Sequence, residues 1–443
     1  MNYRFLFNLS LIFVLPFLLV QGNVSFAETP AQSGLTLNSA LAEAYQKNPD
    51  FEAIRAELRA VKELRAQAVA GFKPSVTGTA DYTSTYVGLD EGTQNSDPKT
   101  MLLEVKQSLY SGGSTLANMQ QSDNKIKAER AKLHLTEQRV LLDGVRAYMN
   151  FIRAREVVQL NLSNEKVLTN HLNASVERFK LGDITRTDVS QAESRLAKAK
   201  ASRISAEGDL KKSRAFFEQV IGLSPLDLQK PALEVSLPAT ENDALTLAEN
   251  NNPAIAVAKY SEDAARNTTR SIEGTNLPQV ELTGSMGKIY DPFIVDTKDE
   301  NTRSVGIRAT LPLYTGGSTA SRIRQSRQIE SQLRRQLDST RRAVRQSVIE
   351  AWETLTAAEA EAKALQAQID AAKLALDGVK MESDFGSRTT LNLLDAEQEY
   401  LDAQVSLVAT ETNRIIATYG VLSAIGKLTA EDLHLNVKMD DRL

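Results

Sequence analysis

The hexapeptide Tyr110-Ser111-Gly112-Gly113-Ser114-Thr115 returns as Tyr314-Thr315-Gly316-Gly317-Ser318-Thr319, 204 residues later. The same offset relates Ala40-Leu41 to Ala244-Leu245, Asn48-Pro49 to Asn252-Pro253, Pro74 to Pro278, Gly182 to Gly386, and Gly222 to Gly426. An offset that survives loops and helices alike marks a duplicated unit, and its period far exceeds the ~20–50 residues of solenoid repeats. The chain therefore uses one large unit twice. The first repeat covers 28–226 and the second 227–430, between a leader at 1–27 and a tail at 431–443, expected to be flexible.

Within each repeat the hydrophobic pattern changes period. A helical stretch with a break at Asn-Pro comes first. After Pro74, Val76, Gly78, Ala80, Tyr82 and Tyr86 alternate with Ser75, Thr77, Thr79, Asp81, Thr83 and Thr85. A polar loop at 88–99 then leads to Met101, Leu103, Val105 and Leu109, which alternate with polar neighbours. The second copy repeats this at Val280, Leu282, Gly284 and Met286, and at Val305, Ile307, Ala309 and Leu311. Period two with one apolar face predicts strands, and hence β-hairpins at 74–110 and 278–314. The double glycines Gly112, Gly113, Gly316 and Gly317 let the backbone turn sharply where strand becomes helix, and the following Ser-Thr pair is expected to cap that helix. A phosphate-binding loop is the competing reading, but no G-x-x-x-x-G-K-[ST] is present.

From Ser114 to Leu181 there is no strand signal, which predicts about 100 Å of helix. Met119, Ile126, Leu133, Val140, Ala147 and Ala154 recur every seven residues, as do Ile323, Glu330, Leu337, Val344, Ala351 and Ala358. That spacing is a coiled-coil seam, and Glu330 is its one polar break. The arginines near it, Arg334, Arg335, Arg341, Arg342 and Arg345, read as a solvated face. Gly182 and Gly386 are expected to end the long helices at tip turns, after which return helices run through 187–217 and 389–418.

Charge excludes some functions. The chain holds 52 Lys and Arg against 56 Asp and Glu, with no basic excess to suit nucleic acid. The absence of cysteine removes disulfides, thiolate metal sites, a cysteine nucleophile and an acylated N-terminal Cys. Arg4, the apolar run from Phe5 to Val20 and Ser25-Phe26-Ala27 have the layout of an export signal cleaved before Glu28. His134, His171 and His434 stand apart from any catalytic motif, no metal-ligand cluster is visible, and the expectation is a non-enzyme without cofactor.

Strands with one apolar face suit a transmembrane barrel, but four cannot close one, and open edges are not tolerated in lipid. Several chains must then share a barrel. Two would give eight strands and a filled interior, whereas three would give twelve and leave a conduit. The alternative is a soluble periplasmic coiled-coil adaptor carrying surface hairpins.

With Phe72-Lys73-Pro74-Ser75-Val76, the duplicated Y-[ST]-G-G-S-T corner and Arg178-Phe179-Lys180-Leu181-Gly182, the chain resembles the TolC family of outer-membrane channels. The segment Gly386-Ser387-Arg388-Thr389-Thr390-Leu391-Asn392-Leu393-Leu394-Asp395-Ala396 is similar to that family's tip signature. The resemblance spans nearly all of the chain after its leader. It implies a mainly α fold with a membrane β-barrel: a homotrimer with a twelve-stranded barrel in outer-membrane lipid and an α-helical tunnel in the periplasm. It also implies an exit duct for protein or small-molecule cargo, partnered by a periplasmic adaptor and an inner-membrane ABC or proton-driven transporter. The tips around Gly182 and Gly386 would dock the adaptor. Asn392 and Asp395 match two lumen-facing aspartate positions, the first of them neutral here. Arg388 matches a gate arginine expected to bond Thr187 and Asp188, while Ser383 fills the position of a gate tyrosine. The competing reading makes these ordinary caps and exposed pairs.

Overall fold

The structure, a computed structural model, describes residues 35–89, 92–231, 235–292, 299–385 and 387–437. The expected leader, Gly386 and the end of the tail lie outside the described residues. Among the described residues fourteen elements follow in order. In the first repeat these are α1 (Leu37–Lys47), α2 (Pro49–Ala70), β1 (Ser75–Tyr82), β2 (Thr85–Leu89), β3 (Gly92–Ser96), β4 (Lys99–Ser111), α3 (Ser114–Leu181) and α4 (Arg186–Ile221). The second repeat gives α5 (Glu241–Asn251), α6 (Pro253–Gly274), β5 (Gln279–Tyr290), β6 (Asp299–Thr310), α7 (Ser318–Asp384) and α8 (Thr390–Ala424).

The Asn-Pro breaks have a physical cause. Asn48 caps α2 by accepting from the Asp50 N–H at 3.0 Å, and Pro49 takes the first helical position, where its missing N–H costs nothing. The same side chain donates to the Val220 carbonyl at 3.1 Å, tying the break to the end of α4. Asn252 repeats both bonds, to the Ala254 N–H and the Ala424 carbonyl.

The long helices α3 and α7 have 68 and 67 residues, so each is about 100 Å long. Their seam residues Ile126, Leu133, Val140, Ala147, Leu337, Val344 and Ala358 are buried. The main core lies at mid-length, where α1, α2 and α5 pack on the long helices and the ends of α4 and α8 return. Phe51, Leu41, Leu58, Tyr148, Phe217, Ile221 and Ile425 are all but fully buried there. Each large apolar side chain so buried contributes ~1.5–3 kcal/mol. Tyr148 lies between the carbonyls of Leu35 and Gln229, 2.7 and 2.6 Å from its hydroxyl, and so pins the start of the described chain to the link between repeats.

One sheet joins the two repeats in the order β1-β4-β5-β6, antiparallel throughout, with β1 and β6 at its edges. Its register keeps the sequence offset: Ser75 lies opposite Lys106, and Gln279 opposite Thr310. Directly paired residues share a face. Val76, Ala80, Met101, Leu103, Val105, Val280, Leu282, Met286, Val305, Ile307 and Ala309 thus lie on one side. Thr77, Asp81, Glu104, Lys106, Glu281, Ser285, Ser304 and Arg308 lie on the other. Among the described residues no helix is long and apolar enough to cross a membrane.

Four local expectations change. The polar stretch at 88–99 is not a plain loop, because β2 and β3 pair as a second, two-stranded sheet and β4 already begins at Lys99. Thr85, Tyr86 and Val87 in β2 favour extended backbone, so pairing continues beyond the main sheet. The caps of the long helices are also not Ser114 and Ser318. Gly113 and Gly317 occupy the cap positions, and the first corner's N–H groups are served from upstream, Ser111 Oγ accepting from the Thr115 N–H at 3.2 Å. Arg334 is no mere solvated charge, since it reaches Glu262 on α6 at 3.4 Å and Glu330 at 2.9 Å. Finally, the tail does not come free at 431: Leu433 and Leu435 are buried in the main core. A buried hydrogen bond from the Ala430 N–H to Glu137 Oε1, 2.8 Å, fastens this segment to α3.

Candidate periplasmic gate and conduit

The tip turns stand at the end of the helices opposite the sheet. Gly182 ends α3 in the left-handed conformation and its N–H bonds back to the Arg178 and Phe179 carbonyls. Thr185 then caps α4 in a reciprocal box. Asp188 Oδ2 accepts from the Thr185 N–H at 2.8 Å and from its hydroxyl at 2.7 Å. The hydroxyl bond, with help from the N–H, holds the Asp188 carboxyl below the ordinary aspartate range. Thr389 and Asn392 occupy the equivalent positions of the second repeat: the Asn392 N–H donates to Thr389 Oγ1, whose hydroxyl donates to Asn392 Oδ1. Asp188 and Asn392 are thus the same first-turn partner of the capping threonine in two copies.

The chain alone does not bring Arg388 to Thr187 or Asp188. Arg388 Nε donates instead to Glu382 Oε2 at 2.7 Å, both side chains about half exposed. Thr187 is exposed and Ser383 is buried. Asp395 meets Arg195 of α4, Nη2 to Oδ1 at 2.5 Å. Nothing in the sequence singled out Arg195, one of several basic residues along α4; only the packing of α8 against α4 reveals it. Beside this pair Leu168, Leu196, Ala199 and Leu394 form a small apolar cluster, and His171 Nε2 lies 2.8 Å from Glu397 Oε1, linking α3 to α8. Among the described residues there is no cluster of His, Asp and Glu fit to hold a metal.

Helices long enough for a periplasm, a sheet with an apolar band along one face and a polar tip define the protomer of an outer-membrane channel. The chain belongs to the family whose model is described as outer membrane efflux protein, which matches residues 40–223 and 244–427. The two matched stretches are the two repeats. Outer membrane efflux protein BepC of Brucella suis is 34% identical over 402 residues, covering 91% of this chain and 88% of that protein. Outer membrane protein TolC of Escherichia coli is 25% identical over 422 residues, 90% of this chain and 85% of that one. Among solved structures, the outer-membrane channel OprN superposes with a TM-score of 0.79 at 21% identity, covering 88% of this chain and 90% of that one. The protein is an outer-membrane exit duct with its helical body in the periplasm, in a family of transport channels rather than enzymes. The soluble-adaptor reading is set aside.

Proposed function

We propose that three copies of this chain close a twelve-stranded barrel above a continuous helical tunnel, and that the tips form its gate. One observation carries this reading: half of a pseudo-symmetric set of contacts is missing. Helix α3 packs on α6 and α8 of the second repeat, but among the described residues α7 makes no comparable contact with α2 or α4. Strand β4 pairs with β5, while β6 is left as an edge. A neighbouring copy supplies what is missing, and a closed ring satisfies every copy alike.

The apolar face of the sheet then meets lipid and the polar face lines the conduit. At the tip, Arg388 exchanges Glu382 for Thr187 and Asp188. The exposed Arg388–Glu382 pair contributes only ~0–1 kcal/mol, so the exchange is cheap. Both bonds from Thr185 use Asp188 Oδ2, which leaves Oδ1 for the arginine. Asn392 and Asp395 narrow the pore, with Arg195 offsetting the repulsion among the Asp395 carboxylates. The tips around Gly182 and Gly386 receive a periplasmic adaptor, and an inner-membrane ABC or proton-driven transporter loads the duct. Its cargo is small molecules or proteins. The efflux relative is 34% identical, and the proteases secretion protein PrtF of Dickeya chrysanthemi is 24% identical over 82% of the chain.

A planar-bilayer recording of detergent-purified protein, run beside mass determination, tests the ring. Long-lived openings from a particle of three chains are expected. A water-soluble monomer without conductance would overturn the proposal.

A further inference from the structure

On the side of the sheet that the proposed ring turns toward lipid, the three rows nearest the helices carry no charge and the three beyond them carry four. Along the register, Val76, Val105, Gly284 and Val305 form one row, and Gly78, Leu103, Met286 and Arg303 the next. Ala80, Met101, Lys288 and Asn301 follow, then Tyr82, Lys99, Tyr290 and Asp299. Lys99, Lys288 and Arg303 thus fall on three successive strands within the last three rows, at the end remote from the helices. On the opposite face charges are scattered along the height instead, at Asp81, Glu104, Lys106, Glu281, Glu300 and Arg308.

The charges at the far end do not cancel. Lys288 Nζ is 2.9 Å from Asp299 Oδ2 and lies over the Tyr290 ring, 4.3 Å from its centroid. Lys99 and Arg303 are exposed and make no ion pair among the described residues. Two uncompensated cations beside an apolar band, flanked by Tyr82 and Tyr290, have the chemistry of a headgroup site. The acyl chains meet the band, the tyrosines sit at the interface, and the cations meet phosphate. The helices stand in the periplasm, so this end of the sheet reaches the outer leaflet.

We propose that Lys99 and Arg303, with Lys288 and Tyr290 between them, bind a phosphorylated glycolipid of the outer leaflet through its phosphate groups. Two strand spacings and four residues separate Lys99 from Arg303, about 17 Å between Cα positions. That distance suits a headgroup bearing two phosphates better than one phosphate held by both residues.

The test uses the purified, delipidated complex and native mass spectrometry, titrated with bisphosphoryl lipid A and with the same lipid stripped of phosphate. Each unpaired basic residue near a phosphate-rich surface strengthens binding about five-fold, so with two of them the wild type should prefer the phosphorylated lipid by about thirty-fold. Lys99→Gln with Arg303→Gln should abolish the preference, and each change alone should reduce it about five-fold. Lys106→Gln with Arg308→Gln removes the same charge from the conduit face and should leave it intact. Subunit mass and conductance matching wild type certify that each variant assembles, and the single variants serve if the double one does not. Equal binding of both lipids by wild type, or a preference surviving in the assembled variants, would overturn the site. So would displacement of the lipid by millimolar inorganic phosphate, which would make the site one for free anions.

Discussion

Gly112 and Gly316 occupy the same position in the two repeats, at φ +62° and +63°, and their surroundings differ. A Cβ on Gly112 would fall 2.1 Å from the Gly274 carbonyl oxygen and 2.8 Å from Leu277 Cβ, where α6 turns into β5. Around Gly316, among the described residues and apart from its chain neighbours, no atom lies within 4 Å of that point. Left-handed backbone costs a residue with a Cβ ~1–2 kcal/mol, and forcing packed backbone apart adds ~1–3 kcal/mol. Gly112→Ala is therefore predicted to lose ~2–5 kcal/mol. Gly113→Ala, at φ +81° with open space around it, should lose only the conformational ~1–2 kcal/mol. Gly316→Ala reports on assembly. If a neighbour's α2 end covers it as α6 covers Gly112, its cost in the assembled complex rises to the Gly112 value; in an isolated chain it stays at the Gly113 value. Thermal dissociation of detergent-solubilised complexes, read on gels of unheated and heated samples, ranks the three. A Gly112→Ala complex as heat-stable as Gly113→Ala would refute the steric argument. A mild Gly316→Ala beside a severe Gly112→Ala would speak against the proposed ring.

Glu137→Leu should orphan the buried Ala430 N–H, cost ~1–3 kcal/mol, and speed hydrogen exchange and proteolysis at 428–437 without changing the rest of the helical body. The adjoining His134, 3.1 Å from Glu137, has its pKa raised chiefly by that hydrogen bond. Its contribution is thus full below about pH 6.5 and fades as pH rises through the raised value; it is half a kcal/mol or less, because the imidazole is mostly exposed. Protection at Ala430 that increases with pH across this window would contradict the sign. Burial pushes the Tyr148 hydroxyl up to about 12, so the core should lose up to about 3 kcal/mol as pH climbs from 10 to 12, a loss absent in Tyr148→Phe, as denaturant melts in that range would show. Arg195→Ala should leave the Asp395 carboxylates uncompensated and make the channel several-fold more sensitive to multivalent cation block; an unchanged block in single-channel recordings would mean that Asp395 does not face the pore.

The long-range plan of the fold was legible in the sequence because it rests on repetition. The 204-residue offset reappears as the shared register of the two hairpins and as the twin bonds of Asn48 and Asn252. Seam positions were legible for the same reason, a period of seven held from Met119 to Ala154 and again from Ile323 to Ala358 being hard to produce by chance. Interactions between distant residues without a pattern were not. Arg195 and Asp395 are 200 residues apart, and neither residue type nor spacing pairs them. Glu137 and Ala430 are 293 apart, and their bond uses a backbone N–H that no sequence marks. The caps at the corners were misplaced because a hydroxyl before the double glycine and one after it are alike in sequence; the left-handed glycines decide which faces the helix start.

The repeat also specifies how copies should meet. Leu103 lies opposite Met286 and Val105 opposite Gly284 where β4 pairs with β5. If the same relation holds around the proposed ring, 204 is added on one strand and subtracted on the other. Ile307 of one copy then faces Tyr82 of the next, and Ala309 faces Ala80. This register keeps all four side chains on the lipid-facing side, and a slip of one residue would turn one strand's apolar set toward the conduit. Because the chain has no cysteine, Ala80→Cys with Ala309→Cys introduces the only thiols, and directly opposite Cβ atoms lie ~4.5–5.5 Å apart. A short thiol cross-linker should convert the membrane-embedded protein into covalent dimers and trimers. Thr79→Cys with Ala309→Cys, which puts the thiols on opposite faces, should not. Efficient linkage of the second pair with none of the first would mean that neighbouring sheets join in a register the duplication does not encode.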